Sequence, residues 1–198
     1  MVNFESGKSY SEPFPYMIIE NCFEDNILQK LTEEFPDVDS FGKMVMGGRK
    51  KINTVDGMEW MKNAPTWKLF YEWLNTDSIF HSIVDYYDEY LKKWDSVIDK
   101  KCSLKTDCFV HIDWSSAGDG YKREIHRDTD KRIWNFLIFL SDKDWNGGDF
   151  IIHTVGDLKN YPRQVFDRKL PIYKTIEAKK NLGIFFLSTP DSYHSVSL

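Results

Sequence analysis

Cysteine is scarce in this chain and poorly spaced for chemistry. Cys22, Cys102 and Cys108 are odd in number and form no C-x-x-C pair. That argues against a disulfide framework and against a thiolate zinc knuckle, and it fits a reducing compartment, so a cytoplasmic location is expected. Long apolar runs are missing as well: no stretch approaches the roughly 20 apolar residues of a membrane span, and no basic start followed by an apolar segment marks a secretory leader. No membrane association is expected. Nor is there an excess of positive charge. Lys and Arg number 26 against 31 Asp and Glu, a formal net charge of -5, and the densest basic run, Arg49-Lys50-Lys51, is short enough to be a solvated loop tip. A nucleic-acid partner is therefore not expected. Internal repeats and low-complexity segments are absent too.

What is present suffices for one core. A chain of 198 residues that is 41% hydrophobic reads as a single domain spanning 1–198. Aromatic residues make up 16%, and their flat, bulky side chains suit half-buried pleated surfaces.

Two kinds of periodicity divide the chain. Residues 16–19 read as a short strand, and residues 25–35 carry Ile27, Leu28, Leu31 and Phe35 at helical spacing before Pro36. Residues 41–57, with Gly42, Gly47 and Gly48, read as loop with short strands. Residues 65–94 return to a 3.6 period, with Trp67, Phe70 and Leu74 in one segment, Ile79, Phe80, Ile83, Val84, Tyr87 and Leu91 in the next, and a break at 75–78. Such a stripe is expected to pack on a sheet. Beyond Lys101, short apolar runs alternate with turns at 106–114, 133–140, 150–153, 172–176, 182–187 and 193–198, and Asn146-Gly147-Gly148 supplies a tight turn. The expected class is α+β: helical support in 1–100 and a strand-rich half in 101–198, forming a sandwich or barrel with helices packed on one side.

Two His-x-Asp tripeptides stand out, His111-Ile112-Asp113 and His126-Arg127-Asp128. On a strand, positions i and i+2 share a face, so either could offer two metal ligands. His111 sits in a continuous apolar run and reads as a hydrogen-bonded histidine on a sheet face. His126 follows a glycine-containing turn (Gly118, Gly120) and precedes a strand, the Gly-Gly turn and a second strand, after which His194 arrives as a third candidate. Two imidazoles and a carboxylate on one side of an ion make a facial triad, which suits iron(II) and leaves three positions open. A structural zinc site would be closed by four ligands, whereas a zinc hydrolase would share the triad. His81 and His153 read as packing or surface residues.

The ordered series His126-x-Asp128, the apolar strand 133–140, Trp145-Asn146-Gly147-Gly148, Gly183-Ile184-Phe185-Phe186 and His194-Ser195-Val196 resembles the prolyl-4-hydroxylase-like branch of the iron(II) and 2-oxoglutarate dependent oxygenases. The resemblance covers about the second half of the chain. It implies a double-stranded β-helix, a jelly-roll or cupin-like barrel, with His126, Asp128 and His194 as metal ligands and catalytic centre at its mouth. It also implies Fe(II), 2-oxoglutarate as cosubstrate, O2, and hydroxylation of a C–H bond in a peptidyl or small-molecule substrate. The alternative is a cupin-type or catalytically silent metal-binding barrel that serves as a binding module.

The same resemblance implies a cosubstrate pocket lined by Tyr121, Asn135, Leu137, Phe139 and Val196. Strand parity places Ile133, Asn135, Leu137 and Phe139 inward and Arg132 outward. Phe139 stands where the family often has a tyrosine, so its hydroxyl is not available, and Asn135 is either the compensating polar group or an amide satisfying the backbone. The family also places an arginine or lysine about nine residues past the last histidine to pair with the distal carboxylate. The sequence runs to Leu198, so either it is a truncated form or another cation, such as Arg132 or Arg123, substitutes. Residues 154–169, with Tyr161, Arg163 and Arg168, are expected to form a long loop, either a lid or plain surface.

Overall fold

The computed structural model describes residues 1–45, 49–87, 109–117, 120–129, 132–142, 147–155 and 170–197. In chain order the strands and helices are β1 (Lys8–Tyr10), β2 (Tyr16–Glu20), α1 (Asp25–Glu33), α2 (Val38–Phe41), β3 (Lys43–Val45), β4 (Arg49–Asn53), α3 (Thr54–Met61), α4 (Pro65–Leu74), α5 (Asp77–Tyr86), β5 (Asp113–Ser116), β6 (Arg123–His126), β7 (Trp134–Phe139), β8 (Phe150–His153), β9 (Ile172–Ile176), β10 (Leu182–Leu187) and β11 (His194–Val196). The strands form two four-stranded sheets, in the orders β1-β2-β10-β7 and β6-β11-β8-β9, and a three-stranded sheet β3-β4-β5. Every pairing described is antiparallel.

In the first sheet the central strand β10 is buried on both faces, which is why it reads as a continuous apolar run rather than an alternating one. Side chains of one parity face the second sheet: Tyr16 from β2, Leu137 and Phe139 from β7, and Leu182, Ile184 and Phe186 from β10 meet Phe150 and Ile152 of β8 and Ile176 of β9. Side chains of the other parity, Met17 and Ile19, Trp134, Phe136 and Ile138, and Phe185 and Leu187, join Leu28 and Leu31 of α1, Trp67, Phe70 and Leu74 of α4 and Ile83 of α5. The helical stripes thus sit on the sheet face away from the second sheet. A buried bond from Trp67 Nε1 to the Leu31 carbonyl, 2.9 Å, ties α4 to α1.

Local chemistry explains several boundaries. Pro65 opens α4, where its missing N–H costs nothing. Asn53 caps α3 by accepting a bond from the Asp56 N–H at 3.0 Å. Gly147 and Gly148 adopt φ of 92° and 78°, a region that side-chain-bearing residues rarely visit.

Some expectations need correction. Residues 41–57 carry the expected short strands, β3 and β4, but also the start of α3, which was not expected; the Asn53 cap with Asp56 three residues on is its signal. The strand expected around His111 begins only at Asp113. The helix of residues 25–35 ends at Glu33, and β1 and β6, not anticipated, are strands. Ile133 packs with the helix-side cluster, not inward, because the regular strand starts at Trp134 and parity cannot be carried back past its end. Residues 88–108, with Leu91 and two of the cysteines, Trp145 and Asn146, the 156–169 part of the expected long loop, and Leu198 lie outside the described residues. Among the described residues no helix is long and apolar enough to cross a membrane.

Candidate metal centre

The second sheet places two histidines side by side. His126 ends β6 and His194 begins β11, and the two are direct partners in the antiparallel register. Opposed residues of such a pair project from the same face with Cβ atoms about 5 Å apart. Their rings meet with centroids 4.4 Å apart at 55°. The His194 ring is wedged between Phe150, stacked at 5.2 Å, and the edge-on Phe186 at 4.9 Å, which limits its rotation.

Each ring is also oriented by a bond along its own chain. Nδ1 of His126 donates to the Glu124 carbonyl at 2.8 Å, and Nδ1 of His194 donates to the Ser192 carbonyl at 2.9 Å. A carbonyl can only accept, so in both neutral rings the proton resides on Nδ1 and the Nε2 lone pair is left for another partner. Burial pushes the His126 pKa down to about 4, with the neighbouring His194 adding to the effect. Burial lowers His194 as well, against the opposing pull of Asp128. Both imidazoles are therefore neutral at pH 7, as ligation requires.

Asp128 completes the group. β6 ends at His126, so the two-residue strand spacing that motivated the pairing does not operate here; Asp128 is delivered by the chain leaving the strand. Its Oδ2 lies 3.8 Å from His194 Nε2. One ligand atom from each of His126, Asp128 and His194 lies within 4.8 Å of the others. Two lone-pair nitrogens and a carboxylate oxygen gathered in a largely buried recess leave no proton to share between the rings, and a divalent cation is the partner that this donor set fits. Among the described residues no fourth His, Cys, Asp or Glu joins them, so the set has the form of an open site rather than a closed structural one.

The other His-x-Asp tripeptide is occupied differently. Asp113 takes His111 Nε2 on one oxygen at 3.2 Å and Lys51 Nζ on the other at 3.0 Å. Burial alone would raise its pKa, but the Lys51 bond and charge, with His111 and Arg49, hold it below the ordinary value. His153 is buried, with Nδ1 directed to the Leu170 carbonyl at 3.3 Å and Nε2 to the Ser195 hydroxyl at 2.8 Å. Both of its nitrogens are spent.

The residues expected to line a pocket lie on β7, on β11 and in the segment before β6. Asn135 sits on β7 with both ends of its amide engaged: Oδ1 accepts from Arg132 Nη1 at 3.2 Å and Nδ2 donates to Ser188 Oγ at 2.6 Å. Leu137 and Phe139 lie on the inter-sheet face of the same strand. At 3.3 Å per residue Phe139 is about 13 Å from Asn135 along it. Val196 is on β11, paired with Phe150 and Arg123, and Tyr121 is half-buried two residues before β6. Arg132 corrects a sequence expectation: it does not turn outward but reaches Asp128 Oδ1 at 3.5 Å. It precedes β7, so strand parity never governed it. Neither this contact nor Ser188 carried any sequence signal, since a loop arginine has no periodic signature.

No family model matches this chain, and no curated protein does. Among solved structures, similar chains include a prolyl 4-hydroxylase from Phytophthora capsici, at 18% identity and TM-score 0.49, covering 92% of this chain and 53% of that one. Another is a prolyl hydroxylase from Trichoplax adhaerens in complex with a peptide fragment of the hypoxia inducible factor oxygen degradation domain, at 13% identity and TM-score 0.45, covering 92% of this chain and 76% of that one. The chain thus spans about half the length of the Phytophthora structure.

Proposed function

We propose that this chain is a single-domain, Fe(II)- and 2-oxoglutarate-dependent dioxygenase that hydroxylates a C–H bond of a peptidyl or small-molecule substrate, with release of succinate and CO2. The observation that carries the reading is the meeting of His126, Asp128 and His194, with both Nε2 atoms unprotonated and no fourth protein ligand among the described residues. Zinc in a structural role asks for four ligands, whereas a three-ligand face suits iron(II) and leaves room for a bidentate cosubstrate and oxygen. The strand order supports a double-stranded β-helix: β6, β7 and β8 pass from one sheet to the other and back, as do β9, β10 and β11. A cytoplasmic location accompanies this reading, supported by an odd set of three cysteines without C-x-x-C spacing.

His126 and His194 would hold the iron through Nε2 and Asp128 through Oδ2. When bound, the metal with its keto-acid cosubstrate supplies the oxidising chemistry that protein side chains lack. The chain's own contribution is geometric. Backbone acceptors fix the tautomer of each histidine, Phe150 and Phe186 exclude water from one side of His194, and burial keeps protons from competing for the ligand lone pairs.

Anaerobic addition of Fe(II) and 2-oxoglutarate is expected to produce a weak visible charge-transfer band, and His126→Ala or Asp128→Ala to remove it. Iron-dependent succinate release then separates a catalyst from a barrel that only binds. A wild-type protein that takes up Fe(II) and 2-oxoglutarate yet never turns over, across peptide and small-molecule candidates, would leave the binding-module reading in its place.

A further inference from the structure

We propose that Arg132 is a positioning residue for the Asp128 carboxylate, holding Oδ1 so that Oδ2 alone is offered to the metal. The inference rests on the metal reading of the triad given above. It begins from an inequality among the three ligands. His126 and His194 are locked by strand pairing, by a backbone bond on each ring and, for His194, by two aromatic neighbours. Asp128 has no strand to hold it, because β6 stops two residues earlier. A carboxylate on such a segment can rotate, swing away, or chelate through both oxygens and close a position that an open site needs.

Arg132 meets that need from the opposite side. Its Nη1 lies 3.5 Å from Asp128 Oδ1 and 3.2 Å from Asn135 Oδ1. Asn135 is itself fixed, since it belongs to β7 and donates through Nδ2 to Ser188 Oγ at 2.6 Å, while the Ser188 N–H bonds the Ile133 carbonyl at 3.0 Å. The brace therefore crosses the mouth of the sandwich. It starts in the first sheet, at β7 and the residue following β10, and ends on the ligand carried by the chain leaving the second sheet. The two carboxylate oxygens divide the work: Oδ1 faces the guanidinium, and Oδ2 faces His194 Nε2 at 3.8 Å. At 3.5 Å the ion pair is longer than a charge-assisted hydrogen bond of about 2.8 Å, so its effect is orientation of the carboxylate rather than tight docking.

The sign of the effect separates positioning from simple charge. A guanidinium near a dication repels it, so if Arg132 acted only through charge, removing it would tighten metal binding. If Arg132 positions Asp128, its removal loosens binding, and groups that orient ligands cost about 10- to 100-fold in metal affinity when removed. The test is titration of the full chain with Co(II), reading affinity and ligand-field absorption, in wild type and in Arg132→Ala, Arg132→Lys and Asn135→Ala. Arg132 is half-exposed, and metal-free melting curves check that each variant folds. Arg132→Ala is expected to weaken Co(II) binding by about 10- to 100-fold and to change the absorption band. Arg132→Lys should recover part of the loss, and Asn135→Ala should lose less than Arg132→Ala. Unchanged or tighter binding in Arg132→Ala with the wild-type spectrum overturns the proposal and leaves the triad standing. A wild-type chain that binds neither Co(II) nor Fe(II) overturns the metal reading, and the role of Arg132 with it.

Discussion

His126 and His194 are cross-strand partners that repeat the same local device: each ring donates its Nδ1 proton to the carbonyl two residues earlier in its own chain, Glu124 in one case and Ser192 in the other. The two Nε2 atoms are thereby fixed by backbone geometry before any ligand arrives. Preorganisation of this kind reduces the ordering cost of metal binding.

Metal should stabilise the fold through the triad. At a metal concentration 100-fold above its dissociation constant the wild-type chain should gain about 2.7 kcal/mol, seen as a rise in melting temperature with Mn(II) or Fe(II) that a chelator reverses. His126→Ala, Asp128→Ala and His194→Ala should each lose that gain. A variant that keeps the full rise would remove its residue from the ligand set.

The metal-free protein should become less stable as pH falls from about 6.5 to about 4. Burial pushes the His126 pKa down to about 4 in the folded chain, from the ordinary 6.5. In that window the unfolded chain binds a proton that the native state refuses, so stability rises with pH and levels off above 6.5. His194, also lowered, acts in the same direction. Melting curves across this range should show a shallower pH dependence in His126→Asn than in wild type; equal slopes would mean that burial does not suppress protonation of this ring.

Asn181 should be costly to replace. It stands at φ 63° between β9 and β10, its Oδ1 accepts from the Phe23 N–H and its Nδ2 donates to the Phe23 carbonyl, both at 2.8 Å and buried. Asn181→Ala removes both bonds and puts alanine in the left-handed region, so a loss of about 2–4 kcal/mol is expected in denaturant titration. Asn181→Gly, which relieves only the backbone, should recover about 1 kcal/mol of it.

Gly57→Ala should destabilise even though it replaces glycine inside helix α3. The substitution alone favours a helix by about 1 kcal/mol. Here, however, the added Cβ would lie 2.5 Å from Trp114 Cζ3, and Trp114 is wedged against Trp60 and Trp67 with centroids 5.1 and 5.6 Å away. Overpacking of about 1–3 kcal/mol should outweigh the propensity gain, giving a net loss in thermal melts. A raised melting temperature would show that the tryptophan cluster yields.

Much of the secondary structure was legible. The ranges read from the sequence for β8, β9 and β10 match the folded strands, and the two-helix reading of residues 65–94 breaks where α4 gives way to α5. The strands announce themselves as short apolar or β-branched runs bounded by turn residues, and the helices by an apolar stripe at a 3.6 period. β6 has four residues and only one buried side chain, so no alternation marks it, yet it carries a ligand. Arg132 was misjudged for a related reason: parity describes a strand, and this residue lies outside one.

The sequence alone determined the periodic segments and the presence of three residues whose chemistry suits a metal, because side-chain type and spacing are local properties. Between the two His-x-Asp tripeptides it favoured His126-x-Asp128 on local context alone, without showing what would stand opposite either one. Tertiary structure decided that by inserting β11 between β6 and β8, which sets His194 against His126, while the other tripeptide settles beside Lys51 and gives its carboxylate to a cation. Strand pairing between distant segments is a property of the whole chain's packing, and only the folded molecule could bring Arg132, Asp128 and Asn135 to one point.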